Sequence, residues 1–315
     1  MTSQPTQKHT KRESIVVIGS VNMDLVCRTA RMPNPGETVL GKDLVFVPGG
    51  KGANQAVAAA RMGAEVHFIG CVGNDAFGKT LVQSLKNNKI KIEYLKVIKE
   101  AATGTAMILV DEMGENSIVV SPGANYKITP RHIEEAADLI KKAKIALFQL
   151  EIPLETVEYA IELCHKHGVF TMLDPAPAVT RGLPPPLYRV DLLTPNKSEA
   201  EILVGNPDVT REQTAMQLLK KGPGAVILKL GEKGALVYQE GKTQKIPGFK
   251  VEAKDSTAAG DAFNGALAFT LSEGRALSEA ARFANAAGAL CCTQLGAQTS
   301  LPFRKDVEIF LEKNR

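Results

Sequence analysis

The sequence predicts an α/β fold: a three-layer α/β/α sandwich with a mostly parallel sheet, plus a small β-sheet lid. Three observations carry this. Short apolar runs alternate with helical stretches of about 10–15 residues, the pattern of right-handed βαβ units. The opening run, 15–21, is apolar almost throughout, as a strand covered on both faces should be. Two β-rich excursions, about 22–48 and 100–122, have no helices of their own. Joined as one half-exposed sheet, they would make a lid over an α/β crevice.

The elements follow in order. After the strand at 15–21, short strands over 24–47 are broken by Pro33, Pro35, Gly36 and Gly41. A helix over 53–62 follows the turn Gly49-Gly50-Lys51-Gly52, with Ala at most positions. Next come a strand at 65–70 and a helix at 75–87. From 103 to 121 the pattern alternates again, with Ala106, Ile108 and Val110 on one side. Thr129-Pro130 reads as an N-cap with Pro at the first helical position, opening a helix to about 142. Strand 146–150, helix 154–167, strand 169–173, strand 191–194, helices 198–204 and 212–221, and strand 225–230 continue the alternation. Three helices, at 260–272, 278–293 and 305–313, complete the chain.

With 315 residues the chain suits one large domain or two smaller ones. Its 44% hydrophobic and 23% charged content is that of a globular protein. Lys+Arg 38 against Asp+Glu 34 leaves only +4, evenly spread, which argues against a nucleic-acid partner. No apolar run reaches the ~18 residues of a membrane span. Cys27, Cys71, Cys164, Cys291 and Cys292 contain no C-x-x-C pair and are odd in number, which argues against a zinc site or disulfide framework. They read as small buried hydrophobes in a reducing compartment, hence a cytoplasmic protein. Residues 1–14 are polar and read as a disordered tail, an organellar leader being the alternative, which sets the folded domain at 15–315.

The strongest chemical signal is Asp255-Ser256-Thr257-Ala258-Ala259-Gly260-Asp261-Ala262-Phe263-Asn264-Gly265. A loop of small residues runs straight into an apolar helix, whose first N–H groups and dipole suit a phosphate. Asp261, just inside that helix, is placed to take a proton from an attacking hydroxyl. The helix end should lower its pKa, which phosphoryl transfer tolerates. An ordinary capped helix start has the same pattern. In Gly49-Gly50-Lys51-Gly52-Ala53-Asn54-Gln55, glycines admit a ligand at a helix start, and Lys51 and Asn54 share one face. It is neither a P-loop nor a dinucleotide fingerprint. Asn22-Met23-Asp24 follows the first strand, where ligands sit in open α/β sheets and where amide and carboxylate suit sugar hydroxyls. An Asx turn would look the same. Asn196-Lys197-Ser198-Glu199 also reads as a capping box, and Glu151 at a strand end also reads as a solvated charge.

With those residues in view, the chain resembles the ribokinase-like carbohydrate kinase family over nearly all of 15–315. Segments 49–60 and 255–265 are similar to its two signature regions, and both stand where the family has them. The resemblance implies transfer of the γ-phosphoryl of ATP to a sugar hydroxymethyl, with Mg²⁺, often with K⁺ as activator. It implies a sugar site from Asn22, Met23, Asp24, Gly50, Lys51, Gly52, Ala53, Asn54 and Glu151. Asp261 would be the catalytic base and the amides of Ala258, Ala259 and Gly260 the anion hole. Asn196, Lys229, Leu230, Gly231, Glu232, Lys233, Gly234, Gly260 and Asn285 would meet the nucleotide, with Glu199 acting on Mg²⁺ through water. Asp255 and Thr257 on one loop and Cys291, Gln294, Gly296 and Ser300 on another would hold the monovalent cation, several through backbone carbonyls.

Three departures stand out. Ser256 replaces a usual Thr, Ala258 replaces the usual first Gly of the anion-hole loop, and Lys229 stands where Thr is frequent. Ala258 is compatible with the loop unless the position needs a positive φ. The activity implied is phosphorylation of D-ribose at its 5-hydroxyl, with another small sugar, 2-deoxyribose or fructose, as the alternative. A nucleoside fits less well, because no aromatic run suggests a base-stacking pocket. A catalytically dead sugar sensor would have lost Asp261 or the anion-hole loop, and both are present. Val45 and Val47 alternate with Phe46, and Ile108 and Val110 with Met107 and Leu109, so both lid faces are partly apolar. A homodimer joined through the lids is therefore expected.

Overall fold

A computed structural model of the chain describes residues 14–314. The tail expected over 1–14 lies, apart from Ser14, outside the described residues. From β1 (Ile15–Ile18) the chain leaves at once for β2 (Asn22–Thr29) and β3 (Gly41–Gly49). It returns through α1 (Lys51–Arg61), β4 (Val66–Gly73), α2 (Ala76–Asn87) and β5 (Lys91–Ile98). A second excursion, β6 (Gly104–Val110) and β7 (Asn116–Ser121), leads to α3 (Pro130–Glu135) and α4 (Ala137–Ile140). Alternation follows, with β8 (Ile145–Phe148), α5 (Leu154–Lys166), β9 (Phe170–Leu173), β10 (Leu192–Leu193), α6 (Lys197–Val204), α7 (Arg211–Leu219) and β11 (Ala225–Lys229). The chain closes with β12 (Ala235–Gln239), β13 (Lys242–Ile246), α8 (Ala259–Ser272), α9 (Leu277–Cys291) and α10 (Arg304–Lys313).

The large sheet runs β13-β12-β11-β10-β9-β8-β1-β4-β5. It is parallel from β11 to β5, and the β12–β13 end is antiparallel. β1 shows why both faces need cover. Ile15 and Val17 enter a core with α1, α8 and α9, while Val16 and Ile18 enter another with α3 to α7. That is the expected three-layer sandwich. The first strand is shorter than predicted, because Gly19-Ser20-Val21 links β1 to the lid.

The two excursions join into one sheet, β3-β2-β6-β7, with β2 and β6 parallel and the outer pairs antiparallel. Asp24 stands opposite Val47 and Ala106, so these share a face with Val26, Val45 and Ile108 two residues further on. The other face is not wholly without a helix, as the sequence suggested. Phe46 packs its ring on Phe77 of α2, centroids 5.7 Å apart.

Three strands escaped the sequence reading. β5 is an edge strand whose Lys91 and Glu93 face water, so its apolar signal is diluted. β12 and β13 form a hairpin whose two-residue loop, Glu240-Gly241, has both φ angles positive, 51° and 73°. Alternation flanking a two-residue loop ending in Gly was a usable signal. The helix expected from 130 to about 142 breaks at Ala136, whose φ of −96° and ψ of 6° interrupt the winding between α3 and α4.

Candidate active site

The parallel strands deliver their carboxyl ends to one edge, and the motif residues gather there. The turn into α1 is held by a residue far away in sequence. Glu151, just beyond β8, accepts from the Lys51 N–H (3.1 Å) and from the Ser20 hydroxyl. It is therefore a tether for this helix start, where the sequence left a solvated charge open. Gly50 has φ +89°, a left-handed-side conformation that favours glycine. Gly49 has no room for a side chain, because a Cβ there would stand 2.1 Å from Asp24 Oδ2. The glycines thus let β3 pass directly beside the Asp24 carboxylate.

Asn22 and Asp24 lie buried in β2, not in a turn, and the Asp24 carboxylate is near enough to Glu151, Asp261 and Lys51 to feel their charges. Asn22 Oδ1 accepts from Asn125 Nδ2 (2.7 Å), which is itself anchored on the Val21 backbone. Burial, with the nearby charges of Glu151 and Asp261, raises the Asp24 carboxyl to about 7 against some relief from Lys51. Met23 points the opposite way, into the core. Gly52 and Ala53 direct their N–H groups to Ser20, at 3.3 and 2.9 Å, and shape the turn.

Asp261 is buried in the first turn of α8. Asn54 Nδ2 donates to its Oδ2 (2.9 Å) and Gln55 Nε2 to its Oδ1 (3.0 Å). Gln55 Nε2 also donates to Asp174 Oδ2 (2.8 Å), and its Oε1 accepts from Gln149 Nε2 (2.7 Å). Lys229 Nζ closes the chain on Asp174 Oδ1 (2.7 Å). The helix end was expected to lower the Asp261 pKa, but the structure gives the opposite sign. Burial raises it to about 6. Lys51 and the two amide donors pull it down, and Asp174 pushes it further up. Burial also works against the Lys51 ammonium, yet Asp261, Asp174, Glu151 and Glu199 outweigh it and keep Lys51 firmly charged. Among the described residues the buried Asn54 Oδ1 has no hydrogen-bond partner, an acceptor that a sugar hydroxyl would satisfy.

The loop before α8 is strained. Ala258 adopts φ 60° and ψ 8°, so the position does need the positive φ at which glycine is at ease. The Ala259 N–H turns back to Ser256 O (3.2 Å), while the next N–H groups of the helix have no intrahelical partner. The two loops of the expected cation site are stitched together. Asp255 accepts from the Thr257 N–H (2.8 Å) and the Gly296 N–H (2.9 Å), and Cys291 Sγ reaches Thr257 O (3.5 Å) and Ser300 Oγ (3.0 Å). Burial favours neutral Asp255, but those hydrogen bonds outweigh it and hold its pKa below the usual range. Burial lifts the Cys291 thiol to about 12, so it stays neutral and only its backbone could serve a cation. Gln294 is exposed, its N–H on Cys291 O (3.2 Å). Carboxylate and carbonyl oxygens converging from two loops suit a hard monovalent ion.

Asn196 caps α6 with Glu199 in a closed box: Asn196 Oδ1 accepts from the Glu199 N–H (2.9 Å), and the Glu199 carboxylate accepts from the Asn196 N–H and Nδ2, both 2.7 Å. Burial raises Glu199 above the usual carboxylate range, with Lys229 opposing. With both oxygens engaged, Glu199 has lone pairs left for a hydrated cation, held through water. Lys229 ends β11 and pairs with Asn196 as an isolated bridge. Leu230 precedes the 3-10 turn of Gly231, Glu232 and Lys233, which Gly234 ends. Asn285 of α9 donates to Pro247 O (3.1 Å) on the far side of that turn.

The sequence reading missed Gln55, Asp174, Gln149 and Asn125 as site residues. Asp174 had a usable signal, since it follows β9 just as Glu151 follows β8. Gln55 was inside a quoted motif, but nothing in the spacing shows that its amide turns inward.

The sequence model described as pfkB family carbohydrate kinase matches residues 12–304. Ribokinase of Bacillus subtilis is 43% identical over 299 residues, covering 95% of this chain and 99% of that protein. Ribokinase of Haemophilus influenzae is 41% identical over 307 residues, covering 96% and 99%. The solved structure of Arabidopsis thaliana ribokinase complexed with ribose and ATP superposes with a TM-score of 0.88 at 32% identity, covering 96% of this chain and 99% of that one.

Ala258→Gly should relieve the loop. A non-glycine residue in the left-handed region costs ~1–2 kcal/mol, part of which glycine returns as unfolded-chain entropy. Chemical denaturation should show a gain of about 0.5–1 kcal/mol, and a loss would mean that the strain is absent.

Proposed function

The chain belongs to the pfkB family of carbohydrate kinases, and on that footing we propose that it phosphorylates D-ribose at the 5-hydroxyl with ATP, giving D-ribose 5-phosphate and ADP. The observation that carries the reading is Asp261. It is a buried carboxylate at the start of α8, gripped by Asn54 and Gln55, with the Asp24 carboxylate of the lid base near enough to feel its charge. The ribose relatives support the substrate, and vicinal hydroxyls suit a carboxylate such as Asp24.

In the transfer, the sugar O5 bonds to the γ-phosphorus as the bond from that phosphorus to the β–γ bridging oxygen breaks, and ADP leaves with that electron pair. The proton of O5 passes to Asp261. Asp261 is near its own pKa at neutral pH, so it is ionised enough to accept and basic enough to help. Lys51 holds positive charge beside it, and the free N–H groups at the start of α8 receive the oxygens of the moving phosphoryl group. Asn22, Asp24, Lys51, Asn54 and Glu151 orient the sugar and the helix that carries half of its site. Asn196, the 229–234 turn and Asn285 border the nucleotide.

Mg²⁺, held through water by Glu199, would neutralise phosphate charge. K⁺ at the Asp255–Ser300 loops would steady the anion-hole loop electrostatically, without touching substrate. The five cysteines are free, which suits the cytoplasm. Among the described residues, no helix is long and apolar enough to cross a membrane.

Two copies are proposed to pair through their lids. On the face that carries Asp24, Val45, Ile118 and Val120 are 52%, 53% and 44% exposed, an apolar band beyond the sugar position. A two-fold partner would cover it.

ADP release over a sugar panel tests the activity. Ribose should exceed 2-deoxyribose by about tenfold or more in kcat/KM, because a lost hydroxyl strands a buried polar group. Asp261→Asn should lower kcat by ~10³ while ribose still binds. Equal use of both sugars, or an Asn variant within tenfold of the parent, would contradict the assignment. Sedimentation at micromolar concentration should show a dimer that Val47→Asp with Ile108→Asp splits. A species of one-chain mass in the parent protein would contradict lid pairing.

A further inference from the structure

Lys229 is the second cation of the crevice, and its position does more than neutralise Asp174. Its backbone is fixed by the bridge to Asn196, with its N–H on Pro195 O (2.9 Å). From there the side chain reaches to Asp174 Oδ1 at 2.7 Å, only 11% exposed, against a carboxylate 2% exposed. The same nitrogen faces the start of α8. A Cβ built on Gly260 would stand 3.6 Å from Lys229 Nζ, and outside its own helix Gly260 meets nothing nearer. The ammonium therefore sits between Asp174 and the helix turn that offers its N–H groups to an anion.

Charge and hydrogen-bonding capacity both point the same way. Five carboxylates, Asp24, Glu151, Asp174, Glu199 and Asp261, crowd around Lys51 and Lys229, and a nucleoside triphosphate adds still more negative charge. An ammonium carries three N–H donors, and among the described residues Lys229 directs one of them to Asp174 Oδ1, so donors remain for a second acceptor. Asp174 does not lean on Lys229 alone, because its Oδ2 accepts from Gln55. Asp174 is thereby held whether or not the ammonium swings toward a phosphate.

We propose that Lys229 is a further catalytic residue whose ammonium, resting on Asp174, contacts the γ-phosphoryl group as it leaves ADP for the sugar oxygen. Asp174 is its positioning residue. This rests on reading the α8 start as the transfer site. As the bond to the bridging oxygen breaks and the bond to the sugar oxygen forms, Lys229 meets the phosphoryl oxygens beside the helix amides. It gives or takes no proton.

The test uses Lys229→Met, Asp174→Asn and the double variant in the full chain. Lys229→Met should lower kcat by ~10–100-fold with the ribose KM within about threefold, the pattern of an interaction made in the transition state. Calorimetry should show a β,γ-imido analogue of ATP binding ~10-fold more weakly to Lys229→Met than to the parent, with ADP binding changed less than about twofold. The double variant removes the buried, unpaired carboxylate, so it should regain melting temperature but not kcat. Recovery of parental kcat in the double variant would make the pair purely structural and overturn the proposal. So would equal losses of analogue and ADP binding. The analogue-against-ADP comparison needs no turnover. It still decides the role of Lys229 if the parent proves inactive on ribose, an outcome that would instead overturn the kinase assignment.

Discussion

The side-chain amide of Gln55 bridges two buried carboxylates, Asp261 at 3.0 Å and Asp174 at 2.8 Å, and the crevice is organised around that bridge. Its two N–H bonds tie α8 to the end of β9, and Gln149 fixes its orientation by donating to its oxygen. Gln55 lies on α1, whose N-terminus is tied to the end of β8 by Glu151. One side chain thereby couples α1, the helix that carries Asp261, and the strand end that leads through Asp174 to Lys229. The two carboxylates that Gln55 bridges can lie buried so close together because the Asn54 and Gln55 amides and the Lys229 ammonium donate to them.

The cost appears in protonation. Raising Asp261 from 3.8 to about 6 corresponds to about 3 kcal/mol favouring the neutral acid. A raised carboxyl contributes its stability while protonated, at low pH. That contribution falls away as pH climbs from about 4 through about 6. Activity has the opposite requirement, since a proton acceptor must be ionised. The fold thus gives up stability over the same pH window in which Asp261, as the proposed base, becomes competent. Asp24, raised to about 7, adds to the tension on the lid side. Lys51 limits both shifts, which accounts for a lysine in a place where burial alone opposes its charge.

Much of this was legible in the sequence, and the parts that were not share a physical cause. The alternation of apolar runs gave the sandwich, and the two helix-free excursions gave the lid, because burial on two faces against one leaves different periodicities. Asp261, Lys51 and Asn54 could be found because helix starts flanked by small residues are local features. The link from Asp261 through Gln55 to Asp174 could not, because these residues become a site only through contacts more than a hundred residues apart. The Asp261 shift has the sign opposite to that expected from the helix end alone, since the degree of burial is set by packing that no local pattern records. Ala258 shows the same limit in the backbone: a residue identity permits a left-handed conformation without announcing it.

Burial, opposed by Lys51 and by the Asn54 and Gln55 amides, sets the Asp261 carboxyl near 6. The most direct measurement is the carboxyl titration of Asp261, read as the infrared difference between the parent and Asp261→Asn. The account predicts a midpoint near 6 for the carboxylate band that the variant lacks. A midpoint at or below about 4, the value of a solvated aspartate, would contradict it.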